Sequence, residues 1–283
     1  MKTICIKTNN HKAINYLLKI LEDYNLENVI FSCKQFKTFK NIIIHYKGSN
    51  VQLFILNISK ILSMLIIDQY EQEMSYNILS TNYFYFNRAE KKEILKKTAY
   101  KCNNNIEISY YKKKILLDIF TNLLKKSNKI YLKGVITFRL SAYKKELQTE
   151  IDSAVNEFLI EREYNEFVSL LKLYINTEPS KTDFIHLIYK NGSPIILDKN
   201  KNRISTESNL LNAKFLSDIS FSDCDIALNT LLNLIPKKIC IHLIENQIDE
   251  FINTLIHIFE NRIELCTDCN ICHNFSFGDG PFL

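Results

Sequence analysis

The stretch Lys144–Tyr174, KKELQTEIDSAVNEFLIEREYNEFVSLLKLY, decides how the rest of the chain is divided. Leu147, Ile151, Val155 and Phe158 recur at three- and four-residue spacing and share one stripe of a helix, while Glu150, Glu157 and Glu161 fall off it. The spacing predicts a long helix with one face to bury. Upstream, the same period recurs in Leu53, Leu56, Ile61 and Leu65, in Ile94, Leu95 and Ala99, and in Ile115, Leu116, Ile119, Phe120 and Leu123. Polar breaks at Asn103-Asn104-Asn105 and Ser127-Asn128 separate these pieces, so the region from Asn50 to Asn176 reads as helical.

The flanks read differently. Thr3–Lys7, Lys12–Tyr24, Val29–Phe36 and Asn41–Tyr46 suggest strand, helix, strand, strand, because Ile14, Leu17, Leu18 and Leu21 keep helical spacing whereas Ile42-Ile43-Ile44 is a β-branched run. Beyond the helix, Thr177-Glu178-Pro179-Ser180 has the composition of a linker, since proline lacks an amide donor and disfavours helix before it. Phe184–Tyr189 and Ile195–Leu197 flank Asn191-Gly192, a pair suited to the positive backbone angles of a tight hairpin. A polar loop over 198–209 follows, then helix 225–234, strand 238–243, helix 247–259 and strand 263–265, an alternation that suggests parallel pairing in a mixed sheet. The expected class is therefore α+β: a small α/β unit over 1–48, a helical domain over 49–178, and an α/β domain over 179–283 with a cysteine-bearing tail.

With 46% hydrophobic and 24% charged residues, the chain has the composition of a folded protein. Its 5 glycines stand mostly singly, with no lysine or serine at phosphate-binding spacing, so a P-loop nucleotide site is excluded. The opening Met1–Lys7 lacks the apolar run of a secretory signal, and the greasiest stretch, Val51–Ile67, contains Gln52, Asn57, Ser59 and Lys60. These features lead us to expect a cytoplasmic chain with no membrane span, whose 8 cysteines are reduced.

Charge is uneven. Residues 88–133 hold 13 Lys or Arg against 4 Asp or Glu. Lys92, Lys96, Lys112, Lys113 and Lys114, with Tyr100, Tyr110 and Tyr111 beside them, are candidates for binding nucleic acid through phosphate neutralisation and base stacking. The same lysines suit a solvated helix surface, and arginine is nearly absent from the cluster.

The tail Cys266-Thr-Asp-Cys269-Asn-Ile-Cys272-His273 has metal-ligand spacing. Three thiolates with two residues between each can wrap one cation when the backbone turns, with His273 or a distant cysteine such as Cys240 as the fourth ligand. Zinc is favoured over an iron–sulfur cluster, because Ser276 and Phe277 stand where a ferredoxin run has cysteine and proline. Free or packed thiols are the other reading. His186 and His242 lie in expected strands among apolar neighbours and read as core histidines, and Glu157, Glu161, Glu163 and Glu166 read as a solvated acidic patch. No GxSxG elbow is present.

Gly134-Val-Ile-Thr-Phe-Arg139-Leu140, together with the helix Asp152–Tyr174 containing EFLIEREYNEF, resembles the YtxC-like family of sporulation proteins of Firmicutes over 134–174. The resemblance implies a cytoplasmic role connected with sporulation and carries over no catalytic residue. Its signature positions here are Arg139, Glu157, Glu161 and Tyr164, with Arg139 expected to pair with a carboxylate on a neighbouring helix. The expected function is non-enzymatic binding, with a protein as the leading partner and nucleic acid as another. The alternative is a metal protein built on the cysteine tail.

Overall fold

The computed structural model describes residues 2–36, 39–104, 106–204, 222–245 and 247–276. The fold is α+β, and the chain forms two compact units, residues 1–160 and 161–283.

In the first unit, β1 (Lys2–Thr8) leads into α1 (His11–Asp23), whose start is set by the Asn10 side chain accepting the Lys12 and Ala13 amides. The hairpin β2 (Val29–Phe36) and β3 (Phe39–Tyr46) follows, then α2 (Val51–Asn82), α3 (Arg88–Asn104) and α4 (Ile106–Lys126). A short strand β4 (Lys129–Tyr131) and α5 (Leu132–Phe138) precede α6 (Ser141–Thr177). The sheet order is β2-β3-β1-β4, with β4 parallel to β1 and the other pairs antiparallel.

Alternation along the strands sends Ile4 and Ile6 of β1 and Ile42 and Ile44 of β3 to one face. There they join the buried residues of α1, α2, α4, α5 and the start of α6 in one cluster. The strands of 1–48 and the helices after them thus share a core, so the break expected at residue 48 does not separate two cores. β4 was read as part of a helical region; its three residues carry no periodicity of their own, and it exists because Ile130 can pair beside Ile6. A second cluster ties Leu79 and Phe86 to Ile94, Ile151, Val155 and Phe158. Among the described residues one helix, Val51–Asn82, is long and apolar enough to cross a membrane, but half of its apolar window is buried inside the fold.

The second unit takes in the end of α6, the hairpin β5 (Thr182–Lys190) and β6 (Ser193–Asp198), α7 (Asp223–Leu234), β7 (Pro236–Leu243), α8 (Glu250–Phe259), β8 (Ile263–Cys266) and α9 (Asn270–Ser276). The hairpin turns on Asn191 and Gly192, both with positive φ, as a two-residue turn demands. Sheet order is β6-β5-β7-β8, with β7 parallel to both β5 and β8. Ile185, Leu187, Ile239 and Ile241 pack against α7, α8 and Val168 and Ile175 of α6. α7 begins with a capping box between Ser222 and Asp225. Part of the polar loop expected over 198–209 lies outside the described residues.

Candidate metal centre

The face of the second sheet opposite α7 and α8 holds the chemistry. In β7, Cys240 and His242 alternate with the buried Ile239, Ile241 and Leu243, so both point away from the apolar layer. Parallel register sets His186 of β5 beside Cys240, and Cys266 of β8 beside His242. The chain then turns through Thr267 and Asp268 into α9, which is held by Ile271 and Phe275 packing with Ile188, Leu197 and Ile244. The Lys190 ammonium also donates to the Phe275 carbonyl at 3.1 Å.

This turn brings Cys266, Cys269 and Cys272 to His242, with one donor atom of each within 4.8 Å of the others. Cys272 Sγ lies 3.9 Å from Cys266 Sγ and 3.6 Å from Cys269 Sγ. His242 Nδ1 is 3.4 Å from Cys269 Sγ and 3.5 Å from Cys272 Sγ. On its far side, His242 Nε2 is 2.9 Å from His186 Nδ1. His186, Cys240 and His242 form a second, overlapping group.

Burial, the nearby His186 and Lys201 together pull the His242 imidazole down to about 4, so it is neutral and free to offer a lone pair. Burial opposes ionisation of Cys269, but hydrogen bonds from the Cys272 amide and the neighbouring thiols outweigh it and lower its pKa. Burial and those same neighbours push Cys272 up to about 12, and burial with nearby thiols pushes Cys240 up to about 11. Cys269 stands at the start of α9, where the Cys272 amide donates to its sulfur at 3.5 Å.

His273, named from the sequence as a fourth ligand, is turned away: its Nε2 bonds Asp268 Oδ1 at 2.8 Å and it is exposed. It follows Cys272 directly on a helix, about 100° round the axis, and so points off the site. Cys240, the other candidate, stands beside the group through His242 and His186. His242 was the residue sequence reasoning passed over, and its alternation with Cys240 was the available signal.

The basic segment is not one surface. Lys112 is buried, with its ammonium 2.7 Å from Glu71 and 3.1 Å from Glu150, so it leaves the exposed lysine set. Lys97 and Lys101 reach Glu157, whose pKa is lowered mainly by the Lys101 hydrogen bond. Lys92, Lys96, Lys113 and Lys114 remain exposed, as do Tyr100, Tyr110 and Tyr111.

Of the signature positions, Tyr164 packs into the second core and bonds Thr254 at 3.0 Å, and Glu161 is exposed. Arg139 caps the exposed end of α5 and makes no ion pair among the described residues, so the expected carboxylate contact is absent there. Its position at the end of a seven-residue helix leaves it facing solvent.

Comparison with known proteins gives one curated relative, "Uncharacterized protein YtxC" of Bacillus subtilis (strain 168), 18% identical over 211 residues that cover 72% of this chain and 74% of the relative. No solved structure matches. A family model described as the YtxC-like family matches residues 56–264, a span that contains His186 and His242 and stops just short of Cys266. That span is most of the chain, and the protein belongs to the YtxC-like family.

Proposed function

We propose that Cys266, Cys269, Cys272 and His242 hold a zinc ion that fastens the segment after β8 onto the second sheet, in a non-enzymatic binding protein. The observation that carries this reading is the set of donor separations. A tetrahedral zinc site with ordinary bond lengths needs sulfur–sulfur edges of about 3.8 Å and sulfur–nitrogen edges of about 3.6 Å. Cys272 Sγ lies 3.9 and 3.6 Å from the other two sulfurs, and His242 Nδ1 lies 3.4 and 3.5 Å from two of the three.

Four protein donors close the coordination sphere, which is the composition of structural rather than catalytic zinc. His186 completes the arrangement as the outer partner: with His242 Nε2–H donating to His186 Nδ1, the His242 Nδ1 lone pair is aimed at the ion. An iron–sulfur cluster is disfavoured, because a buried imidazole takes the place of the fourth thiolate. The context proposed from the family resemblance is a cytoplasmic role in sporulation through a protein partner.

The test is elemental analysis of the full chain purified without oxygen. One zinc per chain is expected, falling to a trace in Cys269→Ser and His242→Ala, with His273→Ala retaining it. Colourless protein that holds no zinc and takes none up from micromolar solution sinks the proposal. Visible absorbance with bound iron replaces it by the cluster.

A further inference from the structure

The first sheet buries one face beneath helices; its other face is a grid whose rows can be read from the strand register. One row across β2-β3-β1-β4 is Lys34, Asn41, Lys7 and Tyr131. The next is Ser32, Ile43, Cys5 and Lys129. Ile30, His45 and Thr3 form the third, with Thr3 Oγ1 2.9 Å from His45 Nδ1.

Two properties of this face belong together. Lys34, Lys7 and Lys129 give it positive charge, and the described strand residues that point to it include no carboxylate. Tyr131, 43% exposed, meets Phe39 edge to face with ring centroids 5.5 Å apart, beside Lys7.

We propose that this face is a platform for single-stranded nucleic acid. A single strand offers what both features lack: phosphates for the lysines and flat bases to stack on Tyr131 and Phe39. A duplex hides its base faces and cannot use the aromatic pair. This site shares no residue with the exposed lysines of α3 and α4 or with the cysteine–histidine group.

The test is fluorescence anisotropy of the full chain with labelled twelve-residue poly(U) RNA and poly(dT) DNA at 50 mM salt. Micromolar or tighter binding of either is expected, with duplex DNA of equal length at least tenfold weaker. Tyr131→Ala should weaken binding about tenfold and Tyr131→Phe restore it. Lys34→Ala with Lys129→Ala should lower the salt dependence by roughly 0.7 per lysine. Both lysines are exposed, so these variants fold, as a thermal melt will verify. Absence of binding to both probes at 50 mM salt overturns the inference. So does binding unchanged by Tyr131→Ala and the lysine pair but lost in Lys92→Ala/Lys96→Ala/Lys113→Ala/Lys114→Ala, or a protein partner shown to occupy the face instead.

Discussion

The two sheets use the same device on one face and opposite devices on the other. Each sends alternate isoleucines and leucines under helices, Ile4, Ile6, Ile42 and Ile44 in the first and Ile185, Leu187, Ile239 and Ile241 in the second. On the reverse faces they part. The first carries lysines and an aromatic pair, while the second carries thiols and imidazoles drawn together by a turn and a short helix. Apolar alternation therefore specifies the fold of each, and the residues in between, which contribute little to the core, are free to differ in chemistry.

The sharpest way to break the comparison is to remove the zinc proposed for the second sheet. Chelation, or Cys272→Ser, should collapse the melting transition of residues 161–283, since ion binding at such a site is coupled directly to folding. The transition of residues 1–160 should stay in place, as differential scanning calorimetry can show. A loss of the first transition alone contradicts the assignment. Next in size is Phe120→Ala, at a fully buried position of the first core. It should cost about 3–5 kcal/mol by urea unfolding and leave metal content untouched.

Lys112→Ala should cost about 3–5 kcal/mol, because it strands Glu71 and Glu150 without their buried cation, whereas the exposed Lys113→Ala should move stability by less than about 0.5 kcal/mol. Equal effects from the two would mean that the buried network does not form.

The smallest effect expected is a pH dependence of the metal-free protein. His242 has its pKa depressed from 6.5 to about 4 in the fold, so between these values the unfolded chain binds a proton that the folded one refuses. Stability is then full above pH 6.5 and falls as pH drops towards 4, by on the order of 2 kcal/mol. His242→Asn should flatten that slope in urea unfolding at stepped pH. A slope of the same size in the variant assigns the effect to other groups.

Much of this was legible in the sequence. The apolar stripe of α6, the Asn191-Gly192 turn and the alternation of helices and strands after Pro179 are local patterns, and each appears where its spacing placed it. The three cysteines were visible for the same reason, being close in the chain. What stayed hidden depends on pairing at long range. β4 has three residues and takes its identity from β1, some 125 positions earlier. His242 reaches Cys266 only through the register of β7 with β8, and Lys112 looked like part of a basic run until Glu71 and Glu150 arrived from other helices.

The order of the proposed ligands along the chain has a consequence for synthesis on the ribosome. His186 and His242 emerge before Cys266, Cys269 and Cys272, so β5 and β7 can pair before those three thiols are within reach. During that interval the His186–His242 hydrogen bond gives the buried ring a partner, and the half-built sheet carries no stranded imidazole while it waits for the cysteines that follow.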